Sequence, residues 1–220
     1  MARVEALPGG GRRVEVGRER LERFLDGVDE RHGGVLDTVV ERGTVVLRTG
    51  DGTGVRLHPT VPGLEQAPRT SGLVVAPLLA HLARPSRVGL LLVRAGGHTA
   101  GVAVHGRVLT SSTDHRLVNG RSAAGGWSQQ RFARRRAGQL RDAVAQATET
   151  AVRALAAVPL DVLVTGGERS HLDAVLDDPR LATLRPLRSP RVLDVGEPRR
   201  RTLDEAARRV DGVVVELRPG

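Results

Sequence analysis

Two hydrophobic patterns divide the chain. In the first part, alternating residues at 14–16 predict a strand, and apolar residues then recur at the spacing of one helix face until Gly33-Gly34. Three further strands are predicted at 35–40, 44–49 and 55–58. We therefore expect a small α+β N-terminal unit.

Prolines and a glycine then interrupt the periodic pattern. They predict a linker at residues 59–72, between an N-terminal unit at 1–58 and a second domain at 73–220. The second domain opens with a short helix at 77–83. Its next predicted elements are strands at 87–94, 100–105 and 107–111, a mobile polar loop at 114–126 and a long helix at 128–157.

A β-α-β rhythm follows the long helix, with strands at 160–164 and 192–195 and a helix at 171–176. The residues from Thr202 to Glu205 form a capping box that predicts a helix start, and the last strand is predicted at 213–217. The second domain is therefore expected to be α/β, with a mixed sheet flanked by helices.

Composition narrows the classes of function. The chain has 220 residues, no cysteine and a formal net charge of +9, so thiolate chemistry and cysteine-ligated zinc are excluded and a polyanionic partner is expected. All 34 basic residues are arginine, which is typical of a GC-rich genome. No apolar run is long enough to span a membrane and no export signal is recognisable, so we expect a cytoplasmic protein without a membrane partner.

The most informative segment runs from Gly125 to Arg136, with the sequence Gly-Gly-Trp-Ser-Gln-Gln-Arg-Phe-Ala-Arg-Arg-Arg. Arginines in the first turns of a helix are unfavourable to the helix dipole, so an external anion such as an RNA phosphate would explain them. A solvated arginine face after a Gly-Gly turn, with Ser128 as N-cap, explains the same residues without RNA.

This segment resembles the catalytic region of the middle domain of eukaryotic and archaeal peptide chain release factors, where a Gly-Gly-Gln loop leads into a long basic helix. The resemblance covers residues 73–220 and is most specific at 87–136. It implies an RNase H-like sheet. Trp127 stands where the release-factor glutamine would fall, so Gly126 to Gln129 instead fits the Gly-x-x-Gln motif of the peptidyl-tRNA hydrolases of ribosome quality control and their actinobacterial relatives.

The resemblance implies a peptidyl-tRNA hydrolase that works on the large ribosomal subunit in ribosome rescue, without a cofactor or metal and as a monomer. The catalytic residues would be Gln129 and Gly126, with Gln130 and Gly125 as further candidates. The residues expected to contact RNA are Trp127, Ser128, Arg131, Arg134, Arg135 and Arg136. A non-catalytic ribosome- or tRNA-binding module is the alternative. A nuclease is disfavoured because its metal ions need clustered carboxylates, and the strands predicted at 87–94 and 100–105 carry none.

Other candidate sites have simpler interpretations. His98, His105 and His115 are interpreted as surface or turn histidines rather than metal ligands. The residues Ser111, Ser112, Asp114 and His115 include the residue types of a catalytic triad without its characteristic motif. Thr165-Gly166-Gly167 is expected to be a plain turn, and Arg199-Arg200-Arg201 a solvated basic loop.

Overall fold

The computed structural model describes residues 4–94, 97–114 and 129–220, and at 114 and 129–137 it describes the backbone alone. The strands of the described residues are β1 (Val4–Ala6), β2 (Arg12–Val16), β3 (Val35–Glu41), β4 (Thr44–Thr49), β5 (Gly54–Pro59), β6 (Ala67–Ser71), β7 (Val88–Arg94), β8 (Gly97–Val104), β9 (Arg107–Asp114), β10 (Val162–Gly167), β11 (Arg188–Leu193) and β12 (Val213–Arg218). The α-helices are α1 (Leu21–Arg31), α2 (Ala76–Ala83), α3 (Gln129–Leu155), α4 (Arg169–Leu176) and α5 (Arg200–Val210).

The chain forms two compact units. Unit 1 comprises the residues up to Ser86 together with those from Arg208 onwards, and unit 2 comprises Arg87–Ala207. Unit 1 contains an antiparallel sheet with the strand order β1-β2-β12-β5-β4-β3-β6. Its C-terminal strand therefore lies inside a sheet whose other strands come from the first third of the chain.

One face of the unit 1 sheet holds the core. Val45, Leu47, Val55 and Leu57 point to this face and pack with apolar residues of α1 and α2. Their neighbours along β4 and β5 are partly or largely exposed, as the alternating sequence predicts for a sheet with helices on one side. The small α+β character expected for the N-terminal unit is thus confirmed.

The limits of unit 1 differ from the expected division into 1–58, 59–72 and 73–220. The segment interpreted as a linker contains β6, an edge strand that pairs with β3. Proline is tolerated in an edge strand, and the exposed side chains of β6 give no hydrophobic signal. The strand predicted at 213–217 is present as β12, but it pairs with β2 and β5 rather than with a strand of the mixed sheet.

Unit 2 contains a mixed sheet with the strand order β11-β10-β7-β8-β9. Strands β7, β8 and β9 form an antiparallel meander, whereas β10 runs parallel to both β7 and β11. The helices α3 and α4 cover one face, where Leu91, Ala100 and Leu163 are buried. On the other face, Leu203 of α5 lies close to Gly101 of β8. The expected α/β fold with a mixed sheet flanked by helices is confirmed.

Two local predictions in unit 2 are wrong. The capping box does not start α5, because α5 begins at Arg200 and the Thr202 hydroxyl donates to the carbonyl oxygen of Glu197 at 2.7 Å. The strand predicted at 192–195 is β11 at Arg188–Leu193, which includes Pro190 at the edge of the sheet. Among the described residues, no helix combines the length and apolar content that crossing a membrane requires.

Candidate functional site at the start of α3

The segment that carries the candidate site is connected to one end of the unit 2 sheet. The cross-strand row Gly167–Val93–His98–Asp114 marks this end, where β7, β9 and β10 finish and β8 begins. The described chain stops at Asp114 and resumes with the first residue of α3, Gln129. The segment that carries the Gly-x-x-Gln motif therefore connects an edge strand to the amino end of the longest helix.

Hydrogen bonds fix the last residues of β9 before this segment. The buried hydroxyl of Thr99 on β8 donates to the carbonyl oxygen of Ser112 at 3.3 Å. The same hydroxyl lies 2.8 Å from the hydroxyl of Thr113. Because β9 pairs with β8 alone among the described strands, these side-chain bonds add to a single ladder. They hold β9 in register with β8 as far as Thr113.

The neighbouring strand ends are held as firmly. Gly167 has a φ of +103°, and a Cβ atom there would collide with the carbonyl oxygen of Val93, so this position requires glycine. The amide of Glu168 donates to the same oxygen at 3.0 Å. The guanidinium of Arg94 donates to the carbonyl oxygen of Val195 at 2.6 Å. The sequence did not indicate the role of Arg94, since a single arginine at the end of a strand carries no distinctive pattern.

Among the described side chains of helix α3, the buried ones all lie in its carboxyl-terminal part. It has 27 residues, or about 40 Å at 1.5 Å per residue. Along its described side chains, the first buried residue is Ala147, and the packing continues through Ala151 to Leu155. Leu140 lies two helical turns before Ala147 and is 41% exposed. The core of unit 2 therefore anchors the carboxyl-terminal part of α3.

The helical positions of the arginines follow from the backbone. At about 100° per residue, positions 131, 134 and 135 fall on the arc of the helix that also carries Arg141 and Arg153. Arg141 and Arg153 are exposed, and this arc lies opposite the buried Ala147 and Ala151. Position 136 falls about 100° away from position 135, toward the packed arc. Three of the four predicted arginines thus occupy positions on the outward side of α3.

One acid on the outward arc is already paired. Arg180 donates to the carboxylate of Glu149 at 2.6 Å. This hydrogen bond and the charge of Arg180 lower the pKa of Glu149. Arg180 also donates to Asp178 and is therefore shared between two carboxylates. The described part of the arc thus carries Arg141 and Arg153 beside Asp142 and Glu149.

The remaining predicted site residues divide in two. Gly125, Gly126, Trp127 and Ser128 lie outside the described residues, as does the expected mobile loop from residue 115 onwards. Gln129, Gln130, Arg131, Arg134, Arg135 and Arg136 lie in the first turns of α3, where the backbone is described. Gln129 and Gln130 are adjacent helical residues about 100° apart, so the two positions are not equivalent around the helix axis.

The other candidate sites resolve as follows. Among the described residues no group of three or more His, Cys, Asp or Glu is placed to hold a metal ion. His105 lies in the tight β8–β9 turn, as expected, with a φ of 47°. His98 is instead buried on β8, so its interpretation as a surface or turn residue is wrong. His115 lies outside the described residues.

The triad and the basic loop lack the required geometry. Ser111 and Ser112 are consecutive residues of β9 and point to opposite faces, and Ser111 accepts a hydrogen bond from Arg200 at 2.9 Å. The expected basic loop at 199–201 is wrong in part, because Arg200 and Arg201 are the first residues of α5. Each of the three arginines has a carboxylate within 3.1 Å, which neutralises the group. The expectation of a plain turn at 165–167 is wrong, because these residues are the last three of β10 and pair with β7. A Cβ at Gly166 would lie 2.8 Å from Leu92.

A protein-family model matches residues 86–216, more than half of the chain, and is described as the Actinobacteria/chloroflexi VLRF1 release factor. The chain belongs to this release-factor family. The match covers all of unit 2 and most of β12. The family assignment confirms the expected release-factor relationship, and it makes the protein a translation-related factor of the termination or rescue type.

Comparison with solved structures shows proteins to which this chain is similar at low sequence identity. No curated protein matches the chain. The crystal structure of the archaeal translation termination factor aRF1 is 12% identical, with a TM-score of 0.40 over 87% of this chain and 69% of that one. The Vms1 mitochondrial localization core is 10% identical, with a TM-score of 0.41 over 89% and 80%. Pelota from Archaeoglobus fulgidus is 13% identical, with a TM-score of 0.30 over 95% and 65%.

Proposed function

We propose that this protein is a peptidyl-tRNA hydrolase that acts on the large ribosomal subunit and releases stalled nascent chains. The observation that carries the proposal is the Gly126-to-Gln129 motif at the amino end of α3 in a chain of a release-factor family. The partners are peptidyl-tRNA and ribosomal RNA. The protein acts as a cytoplasmic monomer and needs no cofactor.

The reaction needs a water molecule directed at the ester between the peptide and the tRNA ribose. It also needs hydrogen-bond donors for the oxyanion that develops in the transition state. A glutamine amide has a carbonyl oxygen that orients water and an NH₂ group that donates, and a glycine permits close approach of backbone to RNA. Gln129 and Gly126 take these roles, so no covalent nucleophile is required.

The basic start of α3 supports the placement of this motif on RNA. Arginines at positions 131, 134 and 135 share the outward arc of the helix, where they neutralise phosphates without reading sequence. Trp127 stacks on a base or ribose, and Ser128 and Arg136 complete the contact. The anchored carboxyl-terminal part of α3 gives this end of the helix a fixed support.

The experiment is release of a labelled peptide from peptidyl-tRNA on purified 50S subunits. It compares the wild type with Gln129→Ala and Gln130→Ala at matched occupancy. Loss of an oxyanion donor lowers the rate by about 10²–10³, so we expect that loss for Gln129→Ala and a much smaller one for Gln130→Ala. The adjacent glutamine is a matched control because both variants remove the same amide from neighbouring helical positions.

The binding-module alternative gives a different result in the same assay. Occupancy of the 50S subunit without release by the wild type would replace the hydrolase by a docking factor. Release that survives Gln129→Ala but is lost in Gln130→Ala would move the catalytic amide by one residue and leave the reaction in place.

A further inference from the structure

The outer face of the unit 1 sheet carries three arginines that the release-factor site does not use. Arg48 on β4 and Arg56 on β5 alternate with the buried Leu47, Val55 and Leu57, so both point away from the core. Arg69 of β6 reaches the same face, because its guanidinium pairs with a carboxylate there. We call Arg48, Arg56 and Arg69 the arginine face.

One carboxylate holds two of these arginines. Asp37 of β3 lies between β4 and β6, and its side chain is only 8% exposed. The Nε of Arg48 donates to one of its oxygens at 2.8 Å, while Arg69 pairs with the other oxygen. The side chains of Arg48 and Arg69 are nevertheless 63% and 60% exposed. Because one edge of each guanidinium is fixed, the remaining N–H groups are presented to solvent at low cost in side-chain entropy.

Arg56 adds a third charge without a partner of its own. It is exposed, and no ion pair or side-chain hydrogen bond joins it to another of the described residues. The carboxylate beside it in the register, Glu216 on β12, accepts hydrogen bonds from Arg13 at 2.7 and 3.1 Å. The three arginines and Asp37 together carry a net charge of +2. The exposed Glu41 follows on the same side of β3, two residues beyond Val39.

The surface between the arginines is suited to an extended chain of anions. Val39 and Val46 form a cross-strand pair on the outer face and are partly exposed. Helices α1 and α2 pack on the opposite, core face, whereas Arg209 of α5 pairs with Glu15 of β2, on the far side of β12 from the arginine face. From β6 through β3 and β4 to β5 is three strand spacings, or about 14 Å. Guanidinium groups presented along such a line match the repeated charges of a phosphodiester backbone, whereas a single small anion would use only one of them.

We propose that the arginine face of unit 1 binds the sugar-phosphate backbone of RNA. It gives the protein a second RNA contact, in the part of the chain that precedes the family match at residues 86–216. The inference goes beyond the proposed hydrolase, because it requires no chemistry at the Gly-x-x-Gln motif. Its readout is binding to RNA that carries no ester, so failure of the hydrolase proposal leaves the test intact.

The test measures the salt dependence of binding of the full chain to a fluorescently labelled single-stranded RNA of mixed sequence, between about 50 and 200 mM salt. The variant is Arg48→Gln/Arg56→Gln/Arg69→Gln. Each lost phosphate contact lowers the slope of log K against log salt by about 0.7, so we expect a decrease of about 2. Near 0.1 M salt this corresponds to a loss of roughly 100-fold in affinity.

The matched control is Arg23→Gln/Arg31→Gln/Arg84→Gln. These exposed arginines belong to α1 and to the end of α2, the helices that pack on the core face, and their removal changes the net charge by the same amount. We expect the control to keep the wild-type slope. Equal decreases in the two variants would overturn the proposal, since the effect would then be net charge alone.

Two further measurements test whether the effect depends on folding and whether the surface prefers RNA to other polyanions. Arg56→Gln breaks no described ion pair, so it should fold normally even if loss of the Asp37 pairs destabilises the triple variant. Its slope of log K against log salt should decrease by about 0.7. Polyglutamate serves as a competitor with a different backbone. Displacement of the RNA by polyglutamate of equal charge, with the same sensitivity to Arg56→Gln, would make this a surface for acidic protein segments and overturn its assignment to RNA.

Discussion

The two sheets of this protein solve burial in different ways. In unit 2, helices cover both faces, and β7 is buried at six consecutive residues from Val88 to Val93. In unit 1, α1 and α2 cover one face, and β4 and β5 alternate between buried and exposed residues. A covered sheet offers function only at the ends of its strands, whereas an open sheet also offers the exposed part of a face. The motif of unit 2 and the arginine face of unit 1 occupy these two kinds of place.

The largest effect should come from the core residues of β7. Leu91 and Leu92 are consecutive and fully buried, so Leu91→Ala and Leu92→Ala should each lower the free energy of unfolding by about 2–5 kcal/mol. On β4, Leu47→Ala should have a similar effect, whereas Val46→Ala should cost less than about 1 kcal/mol. Urea denaturation measures all four. Equal costs at positions 46 and 47 would contradict an open face in unit 1.

A smaller effect on stability is expected when a glycine in each sheet is replaced by alanine. A Cβ at Gly101 of β8 would lie 2.5 Å from the carbonyl oxygen of Thr110 and 3.0 Å from Leu203, so Gly101→Ala should destabilise the protein by about 1–3 kcal/mol. Gly54 of β5 has no atom within 4 Å of its Cβ position. Gly54→Ala should therefore be neutral or stabilise by up to about 1 kcal/mol. Thermal unfolding of the two variants is sufficient, and a neutral Gly101→Ala would show that α5 does not press on β8.

The third prediction concerns the carboxylate under the arginine face. Asp37→Asn removes the charge that Arg48 and Arg69 share, and it should lower the free energy of unfolding by about 1 kcal/mol, because both arginines remain largely exposed to water. Glu41→Gln, at an exposed end of the same strand, should change it by less than about 0.5 kcal/mol. Chemical denaturation compares the two. A cost of several kcal/mol for Asp37→Asn would contradict this expectation and would mean that the ion pairs are needed to keep the edge strand β6 in the sheet.

The smallest effect is a pH dependence on the open face. Burial lowers the pKa of His58 below its usual 6.5, and nearby Arg56 and Arg13 act in the same direction, while Glu216 opposes them. The folded state therefore prefers the neutral ring. Its stability contribution is present above pH 6.5 and is lost as the pH falls from there toward the lowered pKa. The difference between the free energies of unfolding at pH 7.5 and at pH 5.5 should be smaller in His58→Gln than in the wild type. Equal differences would show that His58 does not contribute to the pH dependence.

Much of the architecture was predictable because burial leaves a record in the sequence. The patterns at 44–49 and 87–94 predicted strands, and β4 and β7 are found there. The partners of a strand leave a weaker record, since an apolar strand such as β12 satisfies either sheet. An exposed edge strand such as β6 leaves none, and its proline favoured a linker.

The candidate site was predictable to a similar degree. The long helix predicted at 128–157 is present as α3 (Gln129–Leu155), because helical periodicity continues almost to Pro159. The choice between Gln129 and Gln130 rests on neighbouring residues of the same type, which sequence spacing alone cannot separate. The arginine face was missed because Arg48, Arg56 and Arg69 are spread over three strands and come together only through the pairing of β3 with β4 and β6.

The position of β12 between β2 and β5 has a consequence for how the protein is made. A ribosome releases the amino-terminal part of a chain first, and domains generally fold in that order. Here the first strands to emerge lack the strand that joins β2 to β5 until residues 213–218 have been synthesised. All of the chain that builds unit 2 is made before that moment. The unit that begins first is thus completed last, and a chain truncated before Val213 would leave two unpaired strand edges in the middle of its sheet.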